Sequence, residues 1–108
     1  MRHNPHMIAI TVCYKSGLRL DFDYYTATHI PLVMNNLKPL GMQSAEVRKV
    51  LAGGTGGTPP YQLIASLYYP DAETFERTTN DARWKAVVED VSNFYPEMPD
   101  VLITEIWK

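Results

Sequence analysis

The first apolar stretch, Met7 to Tyr14, is rich in β-branched residues and bounded by polar ones, which predicts a strand. Ile8, Ile10, Val12 and Tyr14 form a strongly apolar face. Met7, Ala9, Thr11 and Cys13 opposite are small or only weakly polar, so neither face reads as fully wet. Lys15-Ser16-Gly17-Leu18 turns the chain. Asp21 then has the carboxylate that suits a helix N-cap, and Asp23 adds negative charge near the positive end of the helix dipole. Phe22, Tyr25, His29, Leu32 and Val33 recur at helical spacing and share one stripe. Pro31 removes a helical donor and crowds the carbonyl of Ala27. This predicts a kink or break near His29-Ile30-Pro31, with a second helical piece running to about Lys38 and ended by Pro39 and Gly41.

Met42 to Ala52 predicts a second strand whose Glu46, Arg48 and Lys49 mark it as an edge strand. A Gly- and Pro-rich connection, Gly53 to Pro60, follows. Tyr61 to Tyr69 predicts a third strand, with Tyr61, Leu63, Ala65, Leu67 and Tyr69 on one face and Gln62, Ile64, Ser66 and Tyr68 on the other. Pro70-Asp71 opens a second helical region. Phe75, Ala82 and Ala86 share one face there and Trp84, Val87, Val88 and Val91 nearly the opposite one. One straight helix does not accommodate both, so a break is expected near Asn80, which can itself cap a new helix. Pro96 and Pro99 precede a final strand, Val101 to Trp107.

The order β-α-β-β-α-β is the split βαβ pattern of an α+β, ferredoxin-like subunit with an antiparallel sheet. Both helical regions then lie on one sheet face. Strands 1, 3 and 4 are apolar on both sides, unlike antiparallel strands with one wet face. A homodimer packed sheet against sheet is the expected solution, since an uncovered second face would leave a large apolar patch. The expected organisation is a polar tail over residues 1–6 and a single domain over residues 7–108.

Composition narrows the classes. The 108 residues fit one domain. A net charge of -2, from 10 Lys+Arg against 12 Asp+Glu, argues against a nucleic-acid partner, which usually meets a basic face. Cys13 alone cannot form an internal disulfide, so a reducing cytoplasm is the default location. No run approaches the roughly 18 apolar residues that would cross a membrane, and the polar start does not look like a secretory signal.

Candidate chemistry is sparse. The glycine-rich segment lacks the third glycine of a dinucleotide fingerprint and the Gly-Lys-Ser/Thr of a phosphate loop, and it joins two strands, so it reads as a hairpin. His3 and His6 are at most half a metal site in a frayed tail, and no metal centre is expected elsewhere. Cys13 is either a small core hydrophobe or a nucleophile facing a histidine. Glu105, in apolar company between Ile103 and Trp107, either faces a cavity or pairs with Arg48 or Lys49. His29 is the strongest candidate. It sits one turn beyond Tyr25 and just before Pro31. It is either a core histidine satisfied by a backbone carbonyl, such as that of Ala27, or a proton donor and acceptor opening into a cavity between helix and sheet.

The segment Asp21-Phe22-Asp23-Tyr24-Tyr25-Thr26-Ala27-Thr28-His29-Ile30-Pro31-Leu32-Val33 resembles the signature of the EthD family, D-x-D-Y-Y-x-x-x-H-x-P-L-V. Leu51-Ala52-Gly53-Gly54, Pro59-Pro60-Tyr61, Leu67-Tyr68-Tyr69 before Asp71 and Phe75, and Ser92-Asn93-Phe94 extend the likeness over residues 7–107. The resemblance implies a dimeric α+β barrel. It also implies a place beside oxidative breakdown of ethyl tert-butyl ether or in aromatic polyketide metabolism, and so xenobiotic catabolism or oxidoreductase chemistry. Other dimeric α+β barrels are cofactor-free monooxygenases, isomerases and cyclases, so no cofactor is expected. His29 maps onto the family histidine, with Tyr25 and Pro31 as its neighbours. The expectation is acid/base chemistry by His29 and Tyr25 on a hydrophobic small molecule walled by Phe22, Tyr68, Trp84 and Phe94. The alternative is a non-catalytic ligand-binding or accessory protein of an oxygenase system.

Overall fold

A computed structural model describes residues 6–107; His3, expected in a frayed tail, lies outside them, as does most of the predicted tail. Four strands form one antiparallel sheet. They are β1 (Ile8–Lys15), β2 (Ser44–Lys49), β3 (Tyr61–Tyr69) and β4 (Asp100–Glu105), in the order β2-β3-β1-β4. Between β1 and β2 run α1 (Phe22–Tyr24), a π-helical turn (Tyr25–His29), α2 (Ile30–Leu37) and a 3-10 turn (Lys38–Leu40). Between β3 and β4 run α3 (Ala72–Thr79), α4 (Ala82–Asp90) and a second 3-10 turn (Val91–Asn93). This is the α+β, ferredoxin-like arrangement expected from the pattern, with β2 at one edge and β4 at the other.

The helices cover the sheet face that carries the even positions of β1 and the odd positions of β3. Ile8 and Ile10 pack with Val33, Leu37, Met42, Leu67, Tyr69, Phe75 and Val87 at one end of this layer. Tyr14 packs with Leu20, Tyr25, Leu63, Val91, Phe94 and Tyr95 at the other. Among the described residues no helix lies over the opposite face. Ala9, Thr11, Cys13, Ile64, Ser66, Tyr68, Leu102 and Thr104 lie there, as the register of β1 with β3 and β4 requires.

Two details differ from the sequence reading, each for a local reason, and the Gly41 stop agrees with it. No break occurs at Pro31. Backbone dihedrals stay right-handed helical at Tyr25, His29 and Ile30, and the amide of Ile30 bonds the carbonyl of Tyr25. Proline offers no amide to the carbonyl one turn earlier. The wider turn takes up the mismatch and the helix continues. The break between α3 and α4 falls where expected, but Asp81, not Asn80, caps α4, its carboxylate accepting from the amide of Arg83 at 2.9 Å. Gly41, at φ 113°, ends the first helical region; a Cβ there would collide with the Thr74 methyl.

The Gly-rich segment connects the antiparallel pair β2 and β3, as a hairpin should, with Gly56 and Gly57 at positive φ. Glu105 does not pair with Arg48 or Lys49. It sits on β4, at the far edge of the sheet from β2, and Arg48 bonds Glu46 instead at 2.6 Å. Among the described residues, no helix is long and apolar enough to cross a membrane.

Candidate functional site

The π turn places Tyr25 and His29 on the buried side of the first helical region, with rings stacked at 5.5 Å between centroids. Phe94 closes on His29 at 4.5 Å and on Tyr25 at 5.1 Å. His29 is therefore held in an aromatic cage and is only 4% exposed.

Its polar partner is neither a backbone carbonyl nor the Ala27 oxygen. The Nδ1 atom lies 2.8 Å from Oδ2 of Asp90, the last residue of α4, 61 positions away in the chain. The Tyr24 hydroxyl donates to Asp90 Oδ1 at 2.6 Å, and the Asn93 amide donates to the same oxygen at 3.0 Å. Burial opposes ionisation of Asp90, but the hydrogen bonds from Tyr24, His29 and Asn93 outweigh it and hold the carboxyl below its ordinary range. For His29, burial pulls the imidazole below its ordinary value and outweighs the upward pull of Asp90. The balance at neutral pH is an ionised Asp90 accepting from a neutral imidazole. The proton then sits on Nδ1 and the lone pair on Nε2. A carboxylate behind a histidine in this way fixes the tautomer and stabilises the imidazolium that proton uptake would create.

The ring borders a cleft of about 80 Å³ between the helices and the sheet. Val12, Ala65 and Leu67 form its floor. Ile30, Val33, Val87 and Val88 form the helical walls, and Trp84, Tyr14 and Tyr25 complete them. Among the described residues no Asp, Glu, Lys or Arg lines it, and His29 is the one lining side chain there that titrates near neutrality.

The sequence-derived candidates separate cleanly. His29, Tyr25 and Trp84 meet at the cleft. Phe94 packs behind it, against His29. Phe22, though part of the helical stripe, lies at the start of α1, is 36% exposed and has the Lys49 ammonium 5.3 Å over its ring. Tyr68 lies on the uncovered sheet face, opposite Ala9 and Ser44, away from the cleft. Cys13 is on that face too, so it does not face His29; burial pushes its thiol up, as for a small core hydrophobe. His6 stacks on Trp107 at 5.4 Å, and among the described residues no three His, Cys, Asp or Glu side chains come together.

Sequence reading missed Asp90, Tyr24 and Asn93. One signal was available for Asp90. A carboxylate in the last turn of a helix faces the negative end of the dipole, an unfavourable place that calls for a specific partner.

The architecture has counterparts among solved structures. An EthD-like protein from Ralstonia eutropha JMP134 superposes with TM-score 0.80 at 28% identity, covering 94% of this chain and 92% of its own. An ethyl tert-butyl ether (EthD) family protein from Bacillus halodurans C-125 gives TM-score 0.75 at 22% identity, covering 94% and 99%. A dimeric ferredoxin-like protein from Thermobifida fusca YX shares the fold alone, with TM-score 0.56 at 11% identity over 98% and 96%. No curated protein matches the chain significantly. The EthD domain matches residues 20–97, which contain both His29 and Asp90, and the chain belongs to the EthD family.

Proposed function

We propose that the protein acts on a hydrophobic small molecule by cofactor-free proton transfer at His29, in an oxidative degradation or aromatic-metabolite pathway. The observation that carries this reading is the His29–Asp90 pair, 2.8 Å apart, at the wall of an otherwise apolar cleft. A buried neutral imidazole backed by a carboxylate is a competent general base. The surrounding aliphatic side chains would exclude water and select an apolar substrate.

The working unit in this proposal is a homodimer joined through the helix-free sheet face. Ala9, Cys13 and Ser66 on that face are small, and Ile64, Tyr68 and Leu102 supply apolar surface around them. The relative from Thermobifida fusca is described as dimeric, which supports the same reading. Light scattering at micromolar concentration should give twice the chain mass; a single-chain mass would remove the dimer.

The functional test incubates the protein with apolar ketones, phenols and alkyl ethers and resolves products by mass spectrometry. The wild type should form a product that His29→Gln does not, with both proteins equally folded by circular dichroism. A ligand held in the cleft but recovered unchanged would assign the chain to carriage or to an accessory role for an oxygenase. Turnover surviving His29→Gln within a few fold would remove His29 from the chemistry.

A further inference from the structure

Three residues that line the cleft, His29, Tyr14 and Tyr25, carry polar groups of complementary chemistry. Among the described residues, Tyr69 Oη is the only buried side-chain polar atom that is both sealed and without a partner. The Nε2 of His29 and the hydroxyls of Tyr14 and Tyr25 also have no hydrogen-bond partner among the described residues. Each must therefore reach accessible space. Tyr14 is 2% and Tyr25 1% exposed, so little of either ring reaches space of any kind. The space these three residues share is the cleft. Their rings adjoin, Tyr14 meeting Tyr25 edge-on at 5.8 Å and Tyr25 stacking on His29 at 5.5 Å. Leaving polar groups unmet in an apolar wall costs free energy, which a ligand with the complementary group would recover.

We infer that His29, Tyr14 and Tyr25 together form a site for an apolar carbonyl compound carrying an acidic hydrogen next to the carbonyl, such as an enolisable ketone. This rests on the proton-transfer reading of His29 and extends it to a substrate class. In the step, the Nε2 lone pair takes the α-hydrogen as a proton. The C–H bonding pair becomes the C=C of an enolate, and the carbonyl π pair moves to oxygen. The phenols donate hydrogen bonds to that oxygen, and Asp90 faces the imidazolium. Return of that proton to a conjugated carbon gives isomerisation, and where the imidazolium first swaps it for a solvent deuteron, return to the same carbon gives exchange; either way the imidazole is regenerated. Burial raises the ionisation of both phenols above the ordinary range, so they stay protonated and able to donate.

The probe is 2-tetralone in D₂O, with α-hydrogen exchange followed by proton NMR. The wild type should accelerate exchange above buffer. Tyr14→Phe and Tyr25→Phe should each slow it by about 10²-fold, the usual effect of removing one oxyanion donor, with 2-tetralone binding unchanged within a few fold. His29→Gln should return it to the buffer rate. A second readout is the absorption of bound 4-nitrophenol. The wild type should bind it as the phenolate, and both Phe variants should shift bound ligand back toward the neutral phenol. Full exchange in both Phe variants, with loss in His29→Gln, overturns the donor assignment and leaves the His29 reading standing. A wild type that does not exchange 2-tetralone overturns the carbonyl class, while the product screen above decides proton transfer separately. Exchange indifferent to His29→Gln overturns both.

Discussion

The two ends of the helix layer are built from different materials. At one end Ile8, Ile10, Val33, Leu37, Met42, Leu67 and Val87 are aliphatic or thioether side chains, with Tyr69 and Phe75 sealed among them. At the other, Tyr14, Tyr25, Phe94 and Tyr95 form a cluster of rings of which Tyr25 and Phe94 close on His29, and several of those rings carry polar tips. Both ends are equally buried. The difference is that the aliphatic end offers a ligand apolar contact only, through Val33, Leu67 and Val87, whereas the aromatic end supplies stiff walls with hydrogen-bonding groups at defined points. Neither burial nor an unspent polar group alone marks a site, as the sealed Tyr69 hydroxyl shows; polar side chains at the wall of a cleft do.

Substitutions can break that comparison. The largest effect is expected from Leu37→Ala, at a fully buried aliphatic position. A cavity there should lower stability by about 2–5 kcal/mol in urea unfolding, with 2-tetralone binding intact in whatever fraction stays folded. Asp90→Ala comes next. It strands the Nδ1–H of His29 and the Tyr24 hydroxyl, for a loss of about 1–3 kcal/mol. Unlike Leu37→Ala, it should also abolish proton transfer at full occupancy of the folded state. An Asp90→Ala protein as active as wild type would show that the carboxylate is structural only.

Acidity tests the aromatic end specifically. The folded imidazole resists a proton that the unfolded chain accepts near its ordinary 6.5, so native stability should fall as pH drops below about 6.5. Asp90, held below its ordinary 3.8, contributes stability that is present above that value and lost at more acid pH. His29→Gln should flatten the first part of the curve in thermal unfolding between pH 7 and 5; an unchanged slope would place the titration elsewhere. The smallest effect is expected from Tyr69→Phe, which deletes the sealed, unpartnered hydroxyl of the aliphatic end. Stability should hold or rise by up to about 1 kcal/mol, with binding untouched. The same deletion at Tyr14 or Tyr25 should spare stability and cost chemistry.

The fold was legible because periodicity reports burial. The odd positions of β3 and the even positions of β1 face the helices as their alternation requires. The same alternation places Tyr68 with Gln62, Ile64 and Ser66 on the other face, so parity already argued against it as a wall of a helix-side cleft. Tyr14 shares the parity of Ile8, Ile10 and Val12, yet drew no attention because it closes the strand. His29 stood out from its own segment. Asp90 did not, because nothing along α4 refers to a helix 61 residues earlier. Pairing across two helices is a property of packing, and spacing within either helix is silent about it.

The π turn has a consequence for phase. Tyr25, His29, Val33 and Leu37 are all buried, at a constant spacing of four residues. An α-helix advances about 100° per residue, so each step of four overshoots a full revolution by about 40°, and over three steps such a row would wind well off the core. The wider turn between Tyr25 and His29 takes back part of that rotation. It acts as a clutch between two stretches of one rod, letting the stretch that carries the base and the stretch that carries the aliphatic ridge be angled together against a single sheet. Removing one residue from that turn would leave both stretches helical and point them in different directions.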